Sequence, residues 1–302
     1  MKERTAASSV GTVILIGVLW GLNWPAVKYM LGEFPPLTIR ALAFPMAASL
    51  LALVVRFRGQ TLRPSRDDRM PILVTGLLLV FGFNVLTSFG QLVTETTRAA
   101  IIAYTMPALT AVLAAIFLRE RFGIHVLIAL FFGMAALGIL VSEDVAAIAS
   151  GPGGPAIMLL AALSWALGNV ALKARRWSLP PLALTVWFFV VSSLACWPLV
   201  LVFEPPWRQA WPSAPVLLTL AYHVLGPMVV CYALWTLSLS RLSATTAAIS
   251  TLTAPIVGVG SAVVILGEQV TWQKVAALMM VVTSIFITLL PRADRGREVG
   301  SR

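Results

Sequence analysis

The sequence predicts an all-α membrane protein of ten transmembrane helices arranged as two inverted five-helix repeats, and three observations predict it. First, 59% of the residues are hydrophobic, only 11% are charged, and the mean hydropathy is +0.91. A soluble domain of this size needs roughly a quarter of its residues charged to stay dissolved, whereas lipid solvates apolar side chains without penalty. Second, apolar runs long enough to cross the hydrocarbon core as a helix, about 20 residues, recur ten times along the 302-residue chain. Third, the chain aligns with itself across its midpoint.

The runs lie at about 10–31, 36–55, 71–92, 98–118, 124–142, 155–173, 181–203, 213–237, 244–266 and 272–290. The first follows Met1, Lys2 and Arg4, and its apolar stretch is longer than the roughly 7 to 15 residues of a signal-peptide core, which predicts a retained span. Helical spacing puts Trp20, Asn23, Trp24 and Val27 on one face of it. Arg40 falls just inside the second run. In the third, Asn84, Thr87, Ser88 and Gln91 form a polar stripe one helical face wide, which faces protein or a wet cavity in preference to lipid. The fourth carries Tyr104 mid-span and Pro107, and the fifth is uniformly apolar.

Gly151-Pro-Gly-Gly-Pro155 forms a seam before the sixth run, where Trp165 and Asn169 share a face. Cys196 lies within the seventh and Cys231 within the eighth, both in apolar surroundings, which argues against a disulfide or a CxxC metal site. The eighth run also holds His223 and Trp235 on one face, Tyr232 beside them, and Gly226-Pro227, which loosens the helix. The ninth contains Pro255, and the tenth closes the chain before a basic tail.

The self-alignment matches Trp20-Gly-Leu-Asn-Trp-Pro-Ala-Val-Lys28 with Trp165-Ala-Leu-Gly-Asn-Val-Ala-Leu-Lys173 at Trp, Leu, Ala and Lys. A longer match runs from Arg98 to Glu120 against Thr246 to Glu268, pairing Thr105 with Thr253, Pro107 with Pro255 and Glu120 with Glu268. Ala and Leu coincidences are cheap in membrane sequences, so the weight rests on Trp, Pro, Lys and Glu. The seam divides the chain into residues 1–150 and 151–302. Because each half holds an odd number of spans, the second enters the bilayer from the opposite side. Inverted repeats of this kind recur in secondary transporters, whose binding site lies near the midplane between the halves.

Most of the 22 basic residues fall on one side of this topology, which by the positive-inside rule places both termini in the cytoplasm. The net charge of +10 is therefore a topology device spread over short loops, and it does not predict a nucleic-acid partner. The two halves, the Trp20-Gly-Leu-Asn-Trp start, the Pro107 and Pro255 helices and the terminal Leu-Arg-Glu (118–120) and Leu-Gly-Glu (266–268) resemble the drug/metabolite transporter superfamily, EamA family. Within it the chain is most similar to bacterial aromatic amino-acid exporters of the YddG type. The resemblance implies a basket-shaped bundle in which the first, third, fourth, sixth, eighth and ninth helices line a central cavity. It also implies residence in the bacterial inner membrane.

No Asp or Glu lies mid-span, and a buried carboxylate is the usual device for gripping a cationic drug or coupling a proton. The expected solute is accordingly a small zwitterionic metabolite, aromatic or other hydrophobic amino acids foremost. Rings beside amides suit an apolar body with a polar head. The expected substrate-binding set is Trp20, Asn23, Trp24, Asn84, Ser88, Tyr104, Trp165, Asn169, His223, Tyr232 and Trp235, with Pro107 and Pro255 as hinges for alternating access. The expected partners are that solute and the bilayer, the chain is compatible with a monomer, and no cofactor or metal is expected. The alternatives are another neutral metabolite, nucleotide-sugar-like or a drug, or a membrane scaffold that transports nothing. An intramembrane enzyme is disfavoured by the lack of HExxH, GxSxG or a mid-span carboxylate pair.

Overall fold

The computed structural model describes residues 2–119, 124–143, 153–238 and 244–288. Glu120, Arg121, Arg241, the first two residues of the seam and the basic tail lie outside the described residues. Long helical stretches fall on each of the apolar runs. They are α1 (Lys2–Met30), α2 (Pro36–Phe57), α3 (Arg66–Val93), α4 (Thr96–Phe117), α5 (Ile124–Glu143), α6 (Gly153–Lys173), α7 (Pro181–Phe203), α8 (Ala214–Leu237), α9 (Ala244–Leu266) and α10 (Trp272–Thr288). Among the described residues, α2, α3, α4, α6, α7 and α8 are long and apolar enough to cross a membrane. Shorter apolar stretches lie in α5, α9 and α10, at Leu127–Leu140, Thr253–Leu266 and Trp272–Ile287.

Local chemistry sets where these helices begin and where they loosen. Pro36 and Pro181 open α2 and α7 at the first helical turn, where the missing N–H costs nothing. Both α3 and α8 widen into π-helical segments, at Leu77–Gly82 and Val224–Cys231. Pro227 lies inside the second of these, as the Gly226-Pro227 pair predicts. The first has no proline, and it forms where α6 presses on α3. A Cβ on Gly168 of α6 would stand 2.7 Å from the Leu79 backbone, so only glycine admits this approach. The two equivalent prolines are unequal: α4 is interrupted at Tyr104 and Thr105, with Pro107 starting its second part, whereas Pro255 sits inside an unbroken α9.

α1 packs along α9, α6 lies against α3 and α4, α2 pairs with α7, and α5 pairs with α10. The α1–α9 contact is close, because a Cβ on Gly21 would meet Val257 Cβ at 2.6 Å. Phe44 of α2 and Phe189 of α7, both fully buried, meet at 6.1 Å between ring centroids. Large apolar side chains such as Phe131, Met134, Leu194, Val202, Leu218 and Val264 face outward and exposed, the surface that lipid covers without cost.

Hydrogen bonds gather the helix ends into two groups. At one end of the bundle, Glu33 just past α1 meets Ser213 before α8, Glu204 past α7 meets the start of α2, and Glu268 past α9 meets the start of α4. Lys28 of α1 donates there to the Gln91 and Thr94 carbonyls at the end of α3. At the other end, Asp68 of α3 accepts from Ser178 ahead of α7 and pairs with Arg175 at 2.7 Å.

Candidate functional site

The interior of the bundle holds two adjoining assemblies. One is a cluster of rings. Trp20 of α1, Trp165 of α6 and Tyr232 and Trp235 of α8 stand with centroids 5.6 to 6.1 Å apart, largely edge to face. Phe83 of α3 adds a contact at 4.8 Å to Trp165, and Phe189 one at 5.1 Å to Tyr232. Such pairs contribute about 0.5–1.5 kcal/mol each beyond their buried area. The Trp20 indole donates to the Pro227 carbonyl at 3.3 Å, so the π-segment of α8 is tied to α1. The Trp235 Nε1–H is buried and has no hydrogen-bond partner among the described residues.

The second assembly is polar. Asn84 donates to the Tyr232 hydroxyl at 2.8 Å and to the Val80 carbonyl one turn back. Ser88, one turn further along α3, bonds the Asn84 carbonyl and accepts from Arg40 Nε at 2.8 Å. Arg40 Nη1 lies 2.9 Å from His223 Nε2, and His223 Nδ1 lies 2.6 Å from Asn23 Oδ1. A guanidinium only donates, so Nε2 is the acceptor and Nδ1 carries the proton given to Asn23. His223, fully buried, is thereby a neutral hydrogen-bonded residue. The chain of contacts joins α1, α2, α3 and α8.

The structure brings together Trp20, Asn23, Asn84, Ser88, Trp165, His223, Tyr232 and Trp235. It places Trp24 and Tyr104 elsewhere: the Trp24 indole donates to the Tyr104 hydroxyl at 3.1 Å, in a separate cluster with α9 residues. Asn169 is buried and turns back onto the Trp165 carbonyl of its own helix. Pro107 and Pro255 lie on α4 and α9, and among the described residues no hydrogen bond joins them to the rings. Arg40, absent from the sequence-based set, is 1% exposed. The available signal was a lone cation in the run Leu-Thr-Ile-Arg-Ala-Leu-Ala, where an interior charge marks function by default.

Charges at the bundle end behave differently. The Ser213 N–H and hydroxyl hold the Glu33 carboxyl below its ordinary value. Burial pushes Glu268 upward, but the Thr97 and Thr96 N–H groups outweigh it and leave its pKa lowered. A cavity of about 260 Å³ opens at this end between α2, α7 and the loop before α8, lined among others by Thr38, Trp197, Gln209 and Trp211. It shares no lining residue with the ring cluster. Among the described residues no group of His, Cys, Asp and Glu is placed to hold a metal.

Comparison with known proteins places this geometry. The EamA-like transporter family model matches residues 7–142 and again 153–290. An uncharacterized transporter of Bacillus subtilis, YoaV, is 21% identical over 91% of this chain and 94% of its own length. A "Probable amino-acid metabolite efflux pump" of Salmonella typhimurium is 24% identical over 91% and 93%, and one of the same name from Escherichia coli 23% over 95% and 97%. One solved crystal structure superposes with a TM-score of 0.67 at 21% identity, covering 93% of this chain and 96% of that one, which establishes the fold. The chain thus belongs to the EamA-like transporter family and is a multi-pass membrane transporter, not an enzyme.

Proposed function

We propose that the protein is a secondary transporter that exports small zwitterionic metabolites across the inner membrane, aromatic and other hydrophobic amino acids foremost. The observation that carries this reading is the ring cluster of Trp20, Trp165, Tyr232 and Trp235 bordered by the amides of Asn23 and Asn84. Rings take an apolar body by area and by quadrupole, and amides orient a polar head. The printed names of the Salmonella and Escherichia relatives, amino-acid metabolite efflux pumps, support the same solute class.

Movement occurs by alternating access between two inverted five-helix repeats, 1–150 and 151–302, with both termini cytoplasmic. Helix packing supports this division. Exchanging the halves turns the α1–α9 contact into α6–α4 and maps α2–α7 and α5–α10 onto themselves, the pairing a two-fold relation between halves produces. The ring cluster draws on α1 from one half and α6 and α8 from the other, so rocking one half against the other opens it. Pro107 and Pro255 are the hinges, and Trp24 with Tyr104 belongs to the moving α1–α4–α9 contact.

Purified protein in liposomes preloaded with labelled phenylalanine, tryptophan and leucine tests the reading. Efflux of these, saturable and competed by one another, is expected. Flux of a nucleotide sugar or a cationic drug without flux of any amino acid would reject the solute class.

A further inference from the structure

We propose that Arg40 is the group that recognises a carboxylate on the transported solute; the inference deepens the transport reading above and rests on it. Arg40 is enclosed by protein, and its guanidinium carries a positive charge. Its described partners, Ser88 Oγ and His223 Nε2, are both neutral. The ion pairs among the described residues join Arg175 to Asp68 and Lys274 to Glu95, both at the bundle ends. Glu204, the carboxylate bound at the start of Arg40's own helix, is spent on the Leu37 and Thr38 N–H groups and the Thr38 hydroxyl.

A desolvated cation held by dipoles alone is an incomplete site. Protein interiors pair such charges because the uncompensated one is costly, and among the described residues no carboxylate does so. The anion that completes it comes with the solute. A guanidinium offers two parallel N–H donors that match a carboxylate fork, and Ser88 and His223 pre-set its plane. Arrival of the carboxylate displaces His223 Nε2 from Nη1, and His223 retains its hydrogen bond to Asn23.

The position fits an aryl solute. Ser88, which holds Arg40, is one turn from Asn84, which holds the Tyr232 hydroxyl at the edge of the ring cluster. The four residues between them rise about 6 Å along the axis, comparable to the reach from carboxylate to ring in an aromatic amino acid. With the head on Arg40, the ring enters among Trp20, Trp165 and Trp235, where the unpartnered Trp235 Nε1–H also waits for an acceptor. Recognition of this kind requires the carboxylate and is indifferent to loss of the amine.

The test uses acid and amide pairs of equal shape: phenylalanine with phenylalaninamide, and 3-phenylpropionate with 3-phenylpropionamide. Binding is read as thermal stabilisation of the detergent-solubilised full chain, and transport as competition against labelled phenylalanine efflux from liposomes. Each acid is expected to bind roughly 10- to 100-fold better than its amide, the range for a hydrogen-bonded charge. Arg40→Gln is expected to erase that gap and Arg40→Lys to keep part of it. Equal binding of acid and amide by the natural chain, or no binding of either, overturns the proposal without any variant having to fold, and so does a folded Arg40→Gln that still discriminates. Acids bound over amides with no amino-acid flux would leave Arg40 standing and remove the amino-acid reading. Amino-acid flux with no acid preference would do the reverse.

Discussion

The interior of the bundle and the end where α1, α3, α7 and α9 finish handle charge in opposite ways. At the end, every described carboxylate–backbone contact lands on a helix start: Glu204 on α2, Glu268 on α4 and Glu33 beside α8. Lys28 mirrors this by donating to the last carbonyls of α3. Each charge sits where the helix dipole welcomes it. In the interior, among the described residues, there is one cation, no carboxylate, and a ring cluster with an indole N–H left over. Complete charges hold the frame together; incomplete ones are where a solute completes the structure. Variants of the two regions should therefore separate, interior changes lowering flux and end changes lowering stability.

The largest expected effect is on the ring cluster. Trp165→Leu keeps an apolar side chain but removes faces shared with Trp20, Phe83, Tyr232 and Trp235. Efflux of aromatic amino acids should fall about tenfold, in line with a lost ring contact, while leucine efflux falls less. Initial rates from liposomes carrying equal amounts of protein decide it. An equal loss for both solutes would make Trp165 a packing residue.

Tyr232→Phe comes next. It deletes the hydroxyl that accepts from Asn84 and leaves the Val80 carbonyl as the Asn84 partner. The loss is worth about 1 kcal/mol, so the melting temperature should fall by no more than about 4 °C, while misplacement of Asn84 weakens the apparent affinity for solute severalfold. A variant that melts much earlier with unchanged affinity would assign this bond to the frame.

Glu268→Gln probes the end. The carboxylate accepts the Thr96 and Thr97 N–H groups at 2.7 and 2.8 Å, and weakening such a cap costs about 1 kcal/mol. Its lowered pKa fixes the sign of the pH dependence: the folded form binds the proton less readily than the unfolded one. Stability from this group is thus fully present above the ordinary carboxyl value of 4.5 and is lost as pH falls through the depressed one. Melting of the variant should be lower near neutrality and converge on that of the natural chain in acid, with solute affinity unchanged at neutral pH. Parallel melting curves would break the assignment.

Much of this frame is legible in the sequence, because apolar runs report helices directly. The runs do not show how far helices extend beyond their apolar cores, as in α1 from Lys2 and α3 from Arg66, nor the break in α4 at Tyr104 and Thr105. The interior is legible by face and illegible by neighbour. Spacing puts Trp20, Asn23 and Trp24 on one side of α1, yet Trp20 and Asn23 meet α8 while Trp24 meets Tyr104 on α4. One helical face touches three helices, α4, α6 and α8, and no pattern within α1 divides it. Arg40 was hidden for the same reason: its partners lie 48 and 183 residues away, and without them a lone arginine near a helix start reads as interfacial. The α3 π-segment holds no proline, and the glycine that lets α6 approach it closely, Gly168, lies on another helix.

The finest test concerns the two prolines that the repeat makes equivalent. Pro107 begins the second part of α4 after the break at Tyr104 and Thr105, a position where its ring and missing N–H are already accommodated. Pro255 sits within an unbroken helix, where it removes one backbone hydrogen bond. If both are hinges, Pro107→Ala lets α4 close its break and Pro255→Ala stiffens α9, and the two should slow maximal flux together while leaving half-saturation unchanged. The structural inequality predicts that the two slow it unequally. Pro107→Ala should slow maximal flux severalfold with stability within about 0.5 kcal/mol, because its helix has a break to lose. Pro255→Ala should slow it less, because α9 is already continuous. Equal slowing by both would restore the symmetric hinge, and no slowing by either would move the hinge to the π-segments of α3 and α8.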